Sequence, residues 1–241
     1  MPGKILLAIE TTTSNGSLAI FNDGLFVADI CWEKGRSHSD VITTQFSKLL
    51  QKLSLDIKSI NELAVDIGPG SFTGNRIGLN FAASLAYSLD IKIVGINSLE
   101  ILAYQAKNQQ LPIVCMQNAF NNRVYIAEFN IKSGQLEPSS PPRVAEPSRI
   151  DITKESLCLG SGLETYKDQL LDKTSSLLVT NPGFSTYPEA KYLGEISVTS
   201  KYKPLEWESV KPLYIKGSEA EEKLMRGELK KTTSGLFLKG E

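Results

Sequence analysis

The string Gly68-Pro69-Gly70-Ser71-Phe72-Thr73-Gly74-Asn75-Arg76-Ile77-Gly78 limits the fold of this chain more than any other segment. It joins an apolar run at 63–67 to a long helix-periodic run at 74–89, and so predicts a strand, a glycine loop and a helix of an α/β fold. Glycine permits positive φ and close backbone approach, and Ser71 or Thr73 can cap a helix whose first N–H groups attract anions. Gly68, Gly70 and Gly74 are spaced GxGxxxG, which is neither the Walker pattern nor the dinucleotide pattern. Thr11, Gly68, Gly70, Ser71 and Thr73 form the candidate set for contact with a phosphate.

The rest of the chain extends the same pattern. Residues 4–10, 16–22 and 25–32 read as three antiparallel strands, with Asn22-Asp23-Gly24 supplying a tight turn. Ser39 is placed to cap a helix whose apolar face is Ile42, Phe46, Leu49, Leu50 and Leu53. A strand at 92–96 follows the glycine-loop helix, and Asn97 with Glu100 starts another helix, to about 107, in the manner of a capping box. Further strands are expected at 113–116, 124–130, 157–160 and 177–179, and helices at 164–171 and 188–197, the last with proline in its first turn. Pro138, Pro141, Pro142 and Pro147 predict a loop-rich stretch. Lys and Glu around Leu224, Met225 and Leu229 give at most a weakly amphipathic helix before a flexible end.

In the 74–89 helix, Gly74, Gly78, Ala82 and Ala86 leave one face almost without side-chain bulk, beside an apolar stripe of Ile77, Phe81, Leu85 and Leu89. That small face can pack on the chain's own sheet or receive another subunit. The candidate partner interface comprises Ile42, Phe46, Leu49, Gly74, Ile77, Gly78, Phe81, Ala82 and Leu85.

Charge removes several functions. The 26 basic and 27 acidic residues give a formal net charge of -1, so no global attraction draws the chain to nucleic acid or an anionic membrane. Cys31, Cys115 and Cys158 lie far apart, which suggests neither a disulfide framework nor a zinc site and fits a reducing cytoplasm. The first ten residues run into a strand without an export signal, so a cytoplasmic location is expected. His38 is the one histidine, and its expected role is that of a polar residue at a helix start.

Residues 5–20, ILLAIETTTSNGSLAI, and 68–103, GPGSFTGNRIGLNFAASLAYSLDIKIVGINSLEILA, resemble the signature segments of the TsaB family. Similarity continues in His38-Ser39, Val124-Tyr125, Gly160-Ser161-Gly162, Tyr187-Pro188 and Pro212-Leu213-Tyr214-Ile215, and so covers about 4–216. The resemblance implies an ASKHA fold of two ribonuclease H-like half domains, at 1–103 and 104–216, each a mixed sheet flanked by helices. The helix at 188–197 is expected to pack back on the first half, and 217–241 is a charged tail.

The family's catalytic relative, TsaD, carries the same glycine loop and then an HxxxH pair that binds a metal. Aligned without a gap from that loop, the two histidine positions fall on Ser98 and Leu102, neither of which is a transition-metal ligand. The resemblance therefore implies a non-catalytic subunit with no cofactor of its own. It would bind and support TsaD in threonylcarbamoyl transfer to the adenosine beside the anticodon of tRNAs reading codons that begin with A. It implies recruitment of the ATPase TsaE, ATP or ADP and a metal in the partner subunits, tRNA only through the complex, and a homodimer when alone. The alternatives are an independent ATP-binding or peptidase-like enzyme and a self-associating homodimer without activity. Two departures stand out: Asn118 and Phe120 occupy places where the family usually has aspartate and arginine, and Glu10 replaces a common aspartate after the first strand.

Overall fold

The computed structural model describes residues 3–33, 37–199, 201–217, 229–231 and 237–239. Its first sheet holds β1 (Ile5–Glu10), β2 (Gly16–Asn22), β3 (Leu25–Trp32), β4 (Ile60–Asp66) and β5 (Ile93–Ile96), in the order β3-β2-β1-β4-β5. β1, β2 and β3 pair antiparallel, while β1, β4 and β5 run parallel. Between strands lie α1 (His38–Leu53) and α2 (Phe72–Leu89), and α3 (Ser98–Tyr104) follows β5. The second sheet holds β6 (Ile113–Asn118), β7 (Val124–Lys132), β8 (Gln135–Pro138), β9 (Arg143–Ala145), β10 (Ser156–Leu159) and β11 (Leu178–Val179). Its order, β11-β10-β6-β7-β8 with β9 also on β7, repeats the plan of the first.

Strand periodicity dictates what covers each face. In β1, Ile5, Leu7 and Ile9 point toward α1 and α2, where Ile42, Phe46, Leu49, Ala82 and Leu85 complete a core. Leu6 and Ala8 point the other way, onto α6 (Ala190–Ser197), where Ala190, Leu193 and Ile196 cover them. The Phe21 ring lies where a Cβ of Gly194 would stand, so α6 needs glycine there to sit flush on the sheet. Full burial of side chains such as Phe21, Leu7 and Ile9 stabilises by about 1.5–3 kcal/mol each. α3 joins the halves: Leu99 and Leu102 pack against the second sheet with Ile113, Cys115 and Ala127, while Ile101 joins the cluster between the first sheet and α6. The returning chain ties them again, since the Leu213 N–H donates to Ile67 O (2.7 Å) and Lys216 Nζ to Ala119 O (2.7 Å).

Several expectations need correction. Ser39 does not cap α1; Ser37 holds the N-cap position without a side-chain cap bond, and Ser39 Oγ donates to Asp40 Oδ1 instead. The proline-rich stretch contains β8 and β9, because Pro138 sits at the end of an edge strand and Pro147 opens a 3-10 turn, where no ladder donor is missed. The helix expected at 164–171 is α4 (Ser161–Tyr166) with a 3-10 turn, and α5 (Asp172–Leu177) was not foreseen. Pro188 precedes α6, whose N-cap is Glu189. Of the weak helix expected in the tail, Leu224 and Met225 lie outside the described residues, while Leu229 belongs to β12 (Leu229–Lys231), which pairs with β13 (Phe237–Lys239).

Candidate functional site

The parallel strands β1 and β4 end side by side, and their carboxylates meet beneath the β1–β2 turn. Glu10 Oε1 accepts from the Thr12 N–H (2.6 Å) and hydroxyl (2.7 Å), and Thr12 Oγ1 lies 3.1 Å from Asp66 Oδ2. Asp66 Oδ1 accepts from Ser98 Oγ (2.6 Å) and the Gly68 N–H (2.8 Å). Glu10 Oε2 has no hydrogen-bond partner among the described residues. Burial raises the Glu10 carboxyl well above its usual range, and the nearby Asp66 raises it further. Burial likewise pushes Asp66 up to about 7 against the pull of its hydrogen bonds from Ser98, Gly68 and Thr12. Both carboxyls are thus displaced toward their protonated forms, and Glu10 Oε2 meets nothing that would stabilise charge.

Ser98 and Leu102 occupy the two positions where the resemblance places metal-binding histidines. Here Ser98 is a hydrogen-bond donor to Asp66 and Leu102 is a core side chain. Among the described residues, no group of three His, Cys, Asp or Glu side chains is arranged to hold a metal ion. His38 is equally committed. Its Nδ1 accepts from Trp32 Nε1 (3.0 Å), which leaves Nε2 to carry the proton and donate to Thr13 O (2.8 Å). A ring bound at both nitrogens pins α1 to the β1–β2 turn and is no free base for a hydrolytic mechanism.

The glycine loop is packed against that turn. The Ser71 N–H donates to Thr12 O (2.6 Å) and Thr11 Oγ1 donates to Gly74 O (2.8 Å). A Cβ at Gly70 or Gly74 would collide with the Thr12 or Thr11 carbonyl oxygen, and one at Gly78 with Thr11 Oγ1. Gly68 takes φ +96°, a value glycine alone accepts readily. Thr11 and Gly68 are thus interior elements of the expected phosphate set. Gly70, Ser71 and Thr73 do reach open space, where they line cavities of ≈ 480 Å³ and ≈ 420 Å³. Ser71, not Thr73, caps α2 by accepting from the Gly74 N–H (3.1 Å).

Opposite stands the β6–β7 turn. Asn118 Oδ1 accepts from the Phe120 N–H (2.8 Å) and from Tyr166 Oη (2.9 Å). Phe120, Asn121 and Asn122 all take positive φ, and the Phe120 ring is 68% exposed at the mouth of both cavities. Nothing in the composition marked Phe120 as a surface residue; the cue was the run Asn121-Asn122, whose short amides tolerate the left-handed region.

The residues of the expected partner face fall largely inside the chain. Ile42, Phe46, Leu49, Gly74, Gly78, Ala82 and Leu85 are buried in this chain's own core, and Ile77 and Phe81 are half-buried at the seam between α1 and α2. The small-residue face of α2 packs on β1 and its following turn because only glycine lets the helix come so close. What these helices present outward is mixed: Thr43, Ser47, Lys48 and Lys52 on α1, and Arg76, Asn80, Ser84 and Tyr87 on α2.

Fold and site together define an α/β protein of two ribonuclease H-like sheets, of the ASKHA type, in which the ends of β1 and β4 meet in a buried hydrogen-bonded network. A family model described as TsaD: tRNA N6-adenosine threonylcarbamoyltransferase matches residues 33–237, and the chain belongs to this family. It is 28% identical over 231 residues to the tRNA threonylcarbamoyladenosine biosynthesis protein TsaB of Escherichia coli strain K12, covering 91% of this chain and 97% of that protein. With the protein of the same name from Bacillus subtilis strain 168 it shares 29% over 172 residues, covering 69% and 75%. A crystal structure of a Pseudomonas aeruginosa protein described as similar to peptidase YEAZ superposes with TM-score 0.77 at 22% identity, covering 88% of this chain and all (100%) of that one, which establishes the shared fold. Among the described residues no helix is long and apolar enough to cross a membrane.

Proposed function

We propose that this chain serves tRNA threonylcarbamoyladenosine biosynthesis as the non-catalytic partner of TsaD. The observation that carries the reading is the use of Ser98 and Leu102: within a family whose name is that of a transferase, these positions go to a hydrogen bond and to core packing. Full-length similarity to the TsaB proteins supports it. The chain pairs with TsaD through the outward face of α1 and α2, helps recruit TsaE, and forms a homodimer over the same face when alone, so that the two associations compete.

The test is size-exclusion chromatography with light scattering on this protein, the TsaD of the same cell and their mixture. A heterodimer is expected, and it should be lost in Asn80→Arg and Ser84→Arg, which alter exposed positions and leave the circular dichroism spectrum unchanged. Gly78→Arg is unsuitable because it would disrupt the core. Absence of a complex with TsaD under every nucleotide condition would refute the reading.

A further inference from the structure

The two large sheets have four edges between them, and three are covered or guarded. Beyond β5, Leu205 exchanges both backbone hydrogen bonds with Ile93 (2.9 Å each), so the returning chain closes that edge. β11 is only two residues long. β8 and β9, side by side along β7, have four and three residues; β8 ends in Pro138, and its Glu137 is paired with Lys132 (2.7 Å). β3 is different. It has eight residues, pairs only with β2 among the described residues, carries a single charge at Asp29, and exposes Leu25 (74%), Phe26 and Val27 in succession. An edge of that length and polarity is a template for another strand.

Charge says which strand fits. Val27 is the extra residue of a bulge, since Ala28 faces Ile20 and Phe26 faces Phe21. The bulge brings Phe26 and Asp29 to the same side of the sheet. Phe26 meets Phe21 edge-on beside α6, with Lys191 Nζ 5.1 Å from its ring centre. Ala28, Ile30 and Trp32 pack toward α1 and α2, so Asp29 between them points to the α6 side as well. Neither Lys191 nor Asp29 has an ion-pair partner within the chain among the described residues. We propose that the β3 edge pairs antiparallel with the β3 edge of a second copy of this chain, about a two-fold axis normal to the sheet. Residues opposite one another across such a pair share a face, and the register that fits sets Phe26 opposite Asp29 of the second copy. Each Lys191 then meets the carboxylate that its own chain leaves unpaired, twice by symmetry, and the exposed Leu25 lies against Ile30 of the second copy. A register that sets the two Asp29 side chains opposite each other is disfavoured by like charge. This contact is separate from the outward face of α1 and α2 and does not depend on TsaD.

Sedimentation velocity over a concentration series tests the proposal on the full chain carrying Asn80→Arg and Ser84→Arg, which takes the α1–α2 face out of play. A reversible doubling of mass with rising concentration is expected. Leu25→Lys, at an exposed position that leaves the fold intact, should weaken the dimer about tenfold. Asp29→Lys and Lys191→Asp should each weaken it about tenfold as well, because each sets like charges opposite twice. The two together in one chain should restore the parent affinity, which a merely structural effect of either change would not do. A monomer at every concentration, a dimer indifferent to Leu25→Lys, or a double variant no better than the singles overturns the proposal. So does loss of the TsaD heterodimer when Leu25→Lys is placed alone in the wild-type chain, since the edge would then belong to a strand of TsaD. TsaD association is measured on the wild-type chain, so the two readings fail separately.

Discussion

The β1–β2 turn and the β6–β7 turn occupy the same place in two sheets of identical strand order, yet they are built in opposite ways. The first is interior: Thr11 and Thr12 are buried, and their hydroxyls serve Gly74 O and the Glu10–Asp66 pair. The second pushes Phe120 into solvent over three successive residues of positive φ. What differs is the helix behind each turn. The 18-residue α2 lays a glycine face across the first, whereas the six-residue α4 has Gly160 and Gly162 against Met116, reaches only Asn118 of the second turn and leaves its tip, Phe120 to Asn122, exposed. Repetition of a topology therefore fixes where a turn lies, and the length and surface of the covering helix decide whether it is core or contact.

The strongest way to break this comparison is at the glycines under the helices. Gly74→Ala would ordinarily gain about 1 kcal/mol in a helix interior. Here the new methyl meets the Thr11 carbonyl oxygen, a backbone atom held in the first sheet, so a net loss of about 3 kcal/mol is expected in urea unfolding. Gly162→Ala meets the Met116 side chain, which can turn aside, as well as its carbonyl, and should cost less. Equal losses, or any gain at Gly74, would show that close approach is not what holds the first turn inside.

The second contrast is electrostatic. The strand ends of the first sheet bury Glu10 and Asp66, while β6 of the second ends in the amides Gln117 and Asn118. Because the folded state raises both carboxyls, it holds protons that the unfolded chain releases near pH 4. Their stabilising contribution is complete below that pH and is lost as pH rises, for Asp66 through about 7. Stability should thus fall between pH 5 and 7 by about 1 kcal/mol per pH unit for each proton retained. Glu10→Gln keeps an acceptor for Thr12 and removes one of those protons, so its profile should be visibly flatter. A wild-type protein whose stability is level or rising over that range would contradict the assignment.

Legibility in the sequence followed the range of the forces involved. The glycine loop, the hairpin at Asp23-Gly24 and the cap at Asn97 are local matters of φ and of hydrogen bonds two or three residues away, and they could be read directly. β8 and β9 were hidden because prolines at strand ends and edges look like loop in a single chain. The Glu10–Thr12–Asp66–Ser98 network joins residues up to 88 positions apart, and no spacing rule announces it. The packing of the α2 stripe was hidden for a related reason. An apolar stripe states that a helix buries something, and only the fold states that β1, not another subunit, lies beneath it.

The smallest effect tests where the halves are truly alike. β2 and β3 are joined through Asp23-Gly24 (φ 50° and 77°), and β7 and β8 through Ser133-Gly134 (φ 51° and 74°), so both hairpins use a two-residue turn with positive φ at each position. A Cβ at Gly24 would find Val198 at ordinary contact distance (3.9 Å), and one at Gly134 would meet nothing within 4 Å. Neither site has a steric obstacle, and the whole cost of Gly24→Ala or Gly134→Ala is that of holding an L-residue in the left-handed region, about 1 kcal/mol. The two losses in thermal or urea unfolding should agree within about 0.5 kcal/mol, the scale on which independent sites behave additively. A clearly larger loss at Gly24 would mean that the first hairpin is held by its packing on α6 rather than by its turn, and the likeness of the halves would end at strand order.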